Sequence, residues 1–475
     1  MIRERSQICF IRFIMSRVVF ENPALKSESL GDQIALEHLF LDFMQMKDFA
    51  KDPIIMKRAR GVWYEDINGK RYLDGLSGIF VVNVGHGNRR VINAIHEQLE
   101  EMTFGPPLQT TNVRAVELAK LLTGLMPGDL HTLKFLSGGS ESTEAAMKLA
   151  RQYHKQTGNP NKYKVISRYQ GYHGSTMGAL AASGTTKRKS PFEPFGPGYI
   201  KVFPPTCYRC PYGLNYPECD VLCATIIEKV VKEEDPSTVA AIIVEPIGNT
   251  GGIITPPPEY FRILREICDK YNILLIFDEV ITGFGRTGEW FAAQTFGTTP
   301  DVICMGKGMS SGYAPIGGLA ISDRIAEAFY GKAEENVQFN HGNTFGGNPL
   351  SAAVALANVT EMKERNLPAK GKERGTQVWK RLEEMKKLGV IGDIRGKGLL
   401  IGVEFVKDAA TKEQFPDGVN FGLKIGKKAL EKGLILRNDP HWIAFAPPLI
   451  ISEEEVDQMM DIFEECAASV LSSIR

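Results

Sequence analysis

Lys307 stands between Gly306 and Gly308, directly after the apolar run Val302-Ile303-Cys304-Met305. A lysine delivered by a buried strand has its ammonium partly desolvated, which lowers its pKa and frees the amine for Schiff-base chemistry. The flanking glycines allow a planar ring to approach closely. Alone, the residue would also pass for a surface lysine in a glycine turn. Asp278 alters that reading. It ends the run Ile273-Leu274-Leu275-Ile276-Phe277, an unbroken apolar stretch that predicts a strand buried on both faces of a parallel sheet. Open α/β sheets take ligands at the carboxyl ends of their strands. Asp278 and Lys307 are therefore expected to meet there, a desolvated acid beside a desolvated amine. The alternative for Asp278 is a cap on the turn that follows.

Two further stretches fit the same edge. Ser137-Gly138-Gly139-Ser140 lies between a strand over 132–136 and a helix with Ala146, Leu149, Ala150 and Tyr153 on one face. Such a loop offers backbone N–H groups and a hydroxyl to a phosphate at a helix N-terminus. Glu141 and Glu144 share that helix end, and the loop alone is simply a good N-cap. Tyr172-His173-Gly174 follows a strand over 164–168 and offers an aromatic plane to stack on a ring, or to pack as any tyrosine does. A phosphorylated ring held by a lysine and an acid describes pyridoxal phosphate. Its ring nitrogen must stay protonated to withdraw electrons, which requires a carboxylate partner in a dry site.

The elements that must hold these residues follow an α/β plan. From about residue 110, strand and helix patterns alternate: helix 112–125, strand 132–136, strand 164–168, strand 239–245 ending at Glu245-Pro246, helix 258–271 and strand 273–278. This predicts a mainly parallel sheet covered by helices. Upstream, residues 28–50 predict a helix, 61–74 a hairpin about Asn68-Gly69, and 91–102 a helix. After about residue 350 come helices 349–364 and 368–387, a strand over 399–406, helix 418–432, a strand over 434–437, the apolar segment 443–448 and a terminal helix. The 475 residues exceed one core. The expected division is 1–84 as an N-terminal extension and part of a small domain, 85–345 as a large cofactor-binding domain, and 346–475 as the α+β small domain.

Charges balance at 56 against 56, so no basic field points to nucleic acid or membrane lipid. Composition is that of an ordinary soluble protein, and no apolar stretch is long enough for a membrane span. Residues 1–19 resemble a short export signal, but Arg12 interrupts the apolar part and no small-residue cleavage site follows. Residues 1–15 read as an extension with Met15 a natural start, a transit peptide being the alternative, and a cytoplasmic protein is expected. Of eight cysteines, Cys207, Cys210, Cys219 and Cys223 cluster in a Pro/Gly/Tyr-rich stretch. Structural metal, disulfide and packed free thiols all remain open there, and no metal is assigned to the site.

The run LLIFDEVITGFGRTG at 274–288, GKG at 306–308, YHGST at 172–176, SGGSE at 137–141 and HGNTFGGNP at 341–349 together resemble class III aminotransferases of pyridoxal-phosphate fold type I, over nearly the whole chain from about residue 35. The resemblance implies that Lys307 carries the cofactor as a Schiff base and shuttles a proton. It implies that Asp278 pairs with the pyridinium nitrogen and that Val280 and Tyr172 pack on its two ring faces. Gly139 and Ser140 would hold the phosphate, His173 would belong to the cofactor site, and Glu245 would lie near the ring hydroxyl. Thr344 resembles the threonine that reaches the neighbouring subunit's phosphate, which implies a homodimer with shared sites, or a tetramer built from it. Arg437 resembles the mobile arginine of the ω-transaminase branch, which meets a substrate carboxylate; without the family, it reads equally as an ion pair with Asp439. Phe80 resembles an aromatic of that branch's substrate pocket. The 4-aminobutyrate and ornithine branch places a glutamine and a glutamate where this chain has Gly248 and Thr250. That departure leans towards an amine, β-alanine or taurine donor with pyruvate as acceptor.

Gly283-Phe284-Gly285-Arg286-Thr287-Gly288 also matches the dinucleotide fingerprint, making an NAD-dependent oxidoreductase the main alternative. Against it, Asp278-Glu279 would set two carboxylates beside a pyrophosphate, and no acid ends a second strand about 20 residues on. The glycines around Lys307 do not make a phosphate-binding Walker loop. A scaffold that lost its chemistry would have no use for both Lys307 and Asp278. An aminomutase or a decarboxylating transaminase would keep the cofactor and change the reaction.

Overall fold

A computed structural model describes residues 36–474. The expectations for residues 1–15 and for the first part of the helix over 28–50 lie outside that range. Within it, that helix does not form: Leu36–His38 is one 3-10 turn and Met46–Phe49 one helical turn. Phe40 is 96% and Phe43 75% exposed, so this part of the stretch buries no continuous apolar face that would stabilise a helix.

Seven strands form the main sheet in the spatial order Thr132–Leu136, Gly317–Ile321, Val302–Met305, Leu274–Asp278, Val239–Val244, Lys164–Arg168 and Tyr199–Val202. Six run parallel; Gly317–Ile321 is antiparallel to both neighbours. The three central strands are buried at every residue. Successive side chains of a strand point to opposite faces. Leu274 and Ile276 accordingly pack with Ala145, Ala146 and Leu149 of helix Gly139–Gln156, and Leu275 and Phe277 with Phe261 and Leu264 of helix Tyr260–Tyr271. Because the strands are parallel, the segments beginning at Ser137, Tyr169, Glu245 and Gly306 leave the sheet at the same edge that ends on Asp278.

The chain's beginning and end share a second sheet. Met56–Arg60, Trp63–Asp66 and Arg71–Asp74 form an antiparallel meander, and Leu434–Ile435 adds to it in parallel against Leu73 and Asp74. Asp66 Oδ1 closes the 67–70 turn by accepting from the N–H groups of Asn68 and Lys70. A third sheet joins Ile391–Lys397, Leu400–Phe405, Trp442–Phe445 and Arg437–Asn438. The single strand expected over 434–437 is thus two short ones on different sheets, with Arg437 at the crossover.

The glycine-rich stretch 283–288 has no dinucleotide geometry. Residues 280–291 form turns and bends, and the helix that comes directly after them, Ala292–Thr295, has only four residues, so the motif does not open a helix as the fingerprint requires. Arg286 is instead fully buried and donates to the carbonyls of Leu399 and Pro447, to Ser77 Oγ and to Asn83 Oδ1. It ties the main sheet to both ends of the chain. Cys207, Cys210, Cys219 and Cys223 are free thiols, and among the described residues no group of three or more His, Cys, Asp or Glu is arranged to hold a metal. No described helix is long and apolar enough to cross a membrane.

Candidate active site

Asp278 is 5% exposed, and its Oδ2 lies 2.7 Å from His173 Nδ1. Its Oδ1 accepts from the Val280 N–H at 3.2 Å. His173 is fixed in turn, its N–H donating to Ser183 Oγ at 2.8 Å and its carbonyl accepting from Thr143 Oγ1 at 2.5 Å. The carboxylate is therefore buried and aimed, with an imidazole rather than a guanidinium or ammonium behind it. Lys307 opens the single 3-10 turn Lys307–Met309 with φ +42°, a left-handed conformation that an L side chain adopts only under constraint. Burial pushes its pKa down; the charges of Asp278 and Glu245 oppose that, while Arg437 and Arg188 add to it. Glu245 is 4% exposed and accepts from the N–H groups of Tyr172 at 2.9 Å and Asn249 at 3.2 Å. Burial is also what pushes its pKa up, with the nearby Asp278 charge acting in the same direction.

A cradle faces these groups at the start of helix Gly139–Gln156, whose first N–H groups have no partner within the helix. Ser140 Oγ accepts from Ser175 N–H at 3.1 Å. Glu141 accepts from the Ser137 N–H and Glu144 from Thr176 Oγ1 and the Ala179 N–H, so each acid of the first turns is engaged by the protein. A Cβ on Gly139 would come 2.7 Å from Val280 Cγ1, and one on Gly174 would come 2.5 Å from Ser140 Oγ. Only glycine leaves room at these places. A helix N-terminus for phosphate, a buried acid for a ring nitrogen and a desolvated lysine suit pyridoxal phosphate.

Tyr172 is half-buried, with its hydroxyl 2.9 Å from Ser175 Oγ and the Arg188 guanidinium 4.7 Å from its ring centroid. Arg437 is half-buried and stands 5.5 Å over the Trp442 ring. It makes no ion pair with Asp439 or any other described carboxylate, and its Nε is buried without a partner. Burial lowers its pKa and the charge of Arg188 lowers it further, while the charges of Asp439 and Glu245 oppose both. Gly248 and Thr250 supply no acid, Thr250 donating instead to the Gln170 carbonyl. Phe80 is 1% exposed and packs with Leu76, Ile247, Trp442 and Ala444, behind the wall that Arg437 stands on. Thr344 lies exposed in the loop before helix Pro349–Glu364, and no described contact joins it to Lys307 or Asp278. A cavity of about 930 Å³ borders the site through Gln170, Thr185 and Trp442 but is lined by neither Lys307 nor Asp278. Arg188 gives no signal of its own in the sequence, because its setting Thr186-Lys187-Arg188-Lys189 has the look of an exposed basic turn.

The family model described as aminotransferase class-III matches residues 46–467. A probable aminotransferase of Mycobacterium tuberculosis is 42% identical over 430 residues, 90% of this chain and 91% of that protein. The taurine–pyruvate aminotransferase of Bilophila wadsworthia is 36% identical over 430 residues, 88% of this chain and 92% of its own. Among solved structures, a thermostable (S)-enantioselective omega-transaminase from Thermomicrobium roseum superposes with a TM-score of 0.85 at 37% identity, covering 92% of this chain and 97% of that one.

Proposed function

The chain belongs to the class-III aminotransferases, which depend on pyridoxal 5'-phosphate, and on that footing we propose that it moves an amino group from an amine, β-alanine or taurine type of donor to pyruvate. The observation that carries the choice of branch is Arg437, a half-buried guanidinium in no ion pair and with its Nε unpartnered, where Gly248 and Thr250 supply no acid to hold it. A cation in that state is matched by a substrate that brings its own acid.

In this reading, Lys307 would hold the cofactor covalently through its amine, Asp278 backed by His173 would meet the ring nitrogen, and Tyr172 and Val280 would take the two faces. Gly139 and Ser140 hold the phosphate, Glu245 lies towards the ring hydroxyl, and Phe80 supports the substrate wall. The cofactor, when bound, supplies a sink for the electrons left on the carbon that bears the amine. Lys307 Nζ, released when the donor's amine replaces it on the cofactor, would take the proton from that carbon and return it on the other side of the exchange, a role its lowered pKa suits. Asp278 keeps the ring nitrogen protonated because its carboxylate is buried and cannot turn away from it. Arg437 orients the keto acid by its carboxylate. The cleft for this chemistry would lie between residues 85–345 and a small domain drawn from both ends of the chain, and the active form would be a homodimer in the cytoplasm.

Half-reaction rates with taurine, β-alanine, 4-aminobutyrate and 1-phenylethylamine, followed by transfer to pyruvate, test the proposal. Lys307→Ala is expected to abolish turnover while leaving noncovalent cofactor binding. Asp278→Asn is expected to cut the rate roughly hundredfold with the fold intact. Near-normal turnover in either variant would remove the proposed site, and turnover of 4-aminobutyrate alone would remove the branch.

A further inference from the structure

Arg188 is a second guanidinium beside the site that no described carboxylate neutralises. It lies in the four-residue helix Thr186–Lys189, on a segment stitched to the chain before Tyr172: Gly184 N–H donates to the Gly171 carbonyl at 2.8 Å, and Gln170 N–H to the Gly184 carbonyl at 3.2 Å. Its guanidinium is stacked against two rings, 4.4 Å from the Phe43 centroid and 4.7 Å from that of Tyr172. Its neighbour Lys189 has an ion pair, with Glu193 at 3.3 Å; Arg188 has neither an ion pair nor a side-chain hydrogen bond to any described residue. Its charge nevertheless reaches the reacting groups, since it depresses the pKa of both Lys307 and Arg437.

Stacking occupies the faces of a guanidinium and leaves its N–H donors in the plane, along the edge. Those donors match two oxygens of a carboxylate or sulfonate. A keto acid carries its carboxylate on the reacting carbon itself, the place given to Arg437. A donor of the β-alanine or taurine type carries its acid further along the chain, so a cation at a different position must receive it. The structure assigns that position to Arg188, as the residue that binds the distal acid of the amino donor and so selects ω-amino acids and amino-sulfonates over plain amines. This rests on the proposed amine transfer and specifies which donors it favours.

The test uses the holoenzyme and two unreactive anions, ethanesulfonate and propanoate, titrated calorimetrically into the wild type, Arg188→Gln and Arg437→Gln. Half-reactions with taurine and 1-phenylethylamine are run alongside. Arg188→Gln is expected to weaken both anions roughly tenfold and to lower kcat/KM for taurine at least about threefold more than for 1-phenylethylamine, whose change reports the effect of the lost charge on Lys307. Anion binding absent from the wild type, unchanged in Arg188→Gln or lost only in Arg437→Gln overturns the assignment. An equal loss with 1-phenylethylamine overturns it too, because Arg188 would then merely brace Tyr172. A wild type that converts no amine at all instead removes the proposed function itself.

Discussion

Lys307 is held between opposing influences: burial disfavours its ammonium, while Asp278 and Glu245 favour it. The sign of a change at Glu245 follows. Replacing it with glutamine removes a negative charge that stabilises the protonated amine, so the pKa of Lys307 falls further below the ordinary lysine range. A larger fraction of free amine is then present at any pH below that range. In apoenzyme, the rate at which Lys307 reacts with an amine-directed reagent rises as the amine loses its proton, and Glu245→Gln should move that rise to lower pH. The measurement is the labelling rate against pH, with the site identified by peptide mapping. An unmoved profile, or one moved upwards, would mean that Glu245 does not act on Lys307 through its charge. His173 shows the same dependence on a neighbour. The resemblance gives it to the cofactor site, and its Nδ1 lies against Asp278, a partner 105 positions away that no local pattern reveals.

The start of helix Gly139–Gln156 depends on close approach between elements rather than on any one side chain. Gly139 and Gly306 meet across the gap, and both face Val280. A Cβ on Gly139 would fall 2.7 Å from Val280 Cγ1, whereas one on Gly306 would come no nearer than 3.4 Å to any atom, an ordinary contact. Gly139→Ala must therefore displace Val280 from the proposed ring site, and cofactor affinity should fall roughly tenfold, while Gly306→Ala should fold normally and bind within about threefold of wild type. Fluorescence titration of apoenzyme with cofactor checks both; equal behaviour would show that Val280 does not bound the site. The strands leading to this edge were legible because central parallel strands are continuous apolar runs, as in Val239–Val244 and Leu274–Asp278. Its margins were not. Tyr199–Val202 has strand-favouring residues but only four of them, and Gly317–Ile321 opens on two glycines, so neither run stands out from its surroundings. The run ending at Arg437 reads as one strand because hydrophobicity is a local property, while the choice between two sheets is made by partners outside the run, Leu73 far away in sequence and Ala444 just beyond it.

At the scale of the molecule, one chain leaves Thr344 and its neighbour Phe345 in an exposed loop, Phe345 59% exposed and touching only the edge of Phe104 among the described aromatics. If the loop serves a second copy, the site at Lys307 is complete only in a dimer, and lesions in Lys307 and Thr344 fall in different sites of a mixed one. Lys307→Ala removes the amine from its own site. Thr344→Glu sets a carboxylate against the phosphate of the partner's site, and because Thr344 is exposed the change leaves each chain's core intact. In a dimer of one Lys307→Ala chain with one Thr344→Glu chain, one site carries both lesions and the other neither. Random pairing makes half of the dimers mixed, with half of their sites sound, so two inactive preparations should regain about a quarter of wild-type activity once their subunits exchange. Differently tagged chains, co-purified to verify exchange, make the result decisive. Co-purified mixed dimers without regained activity would mean that Thr344 serves its own chain or none, and the shared-site reading would fall while Lys307 and Asp278 kept their proposed roles.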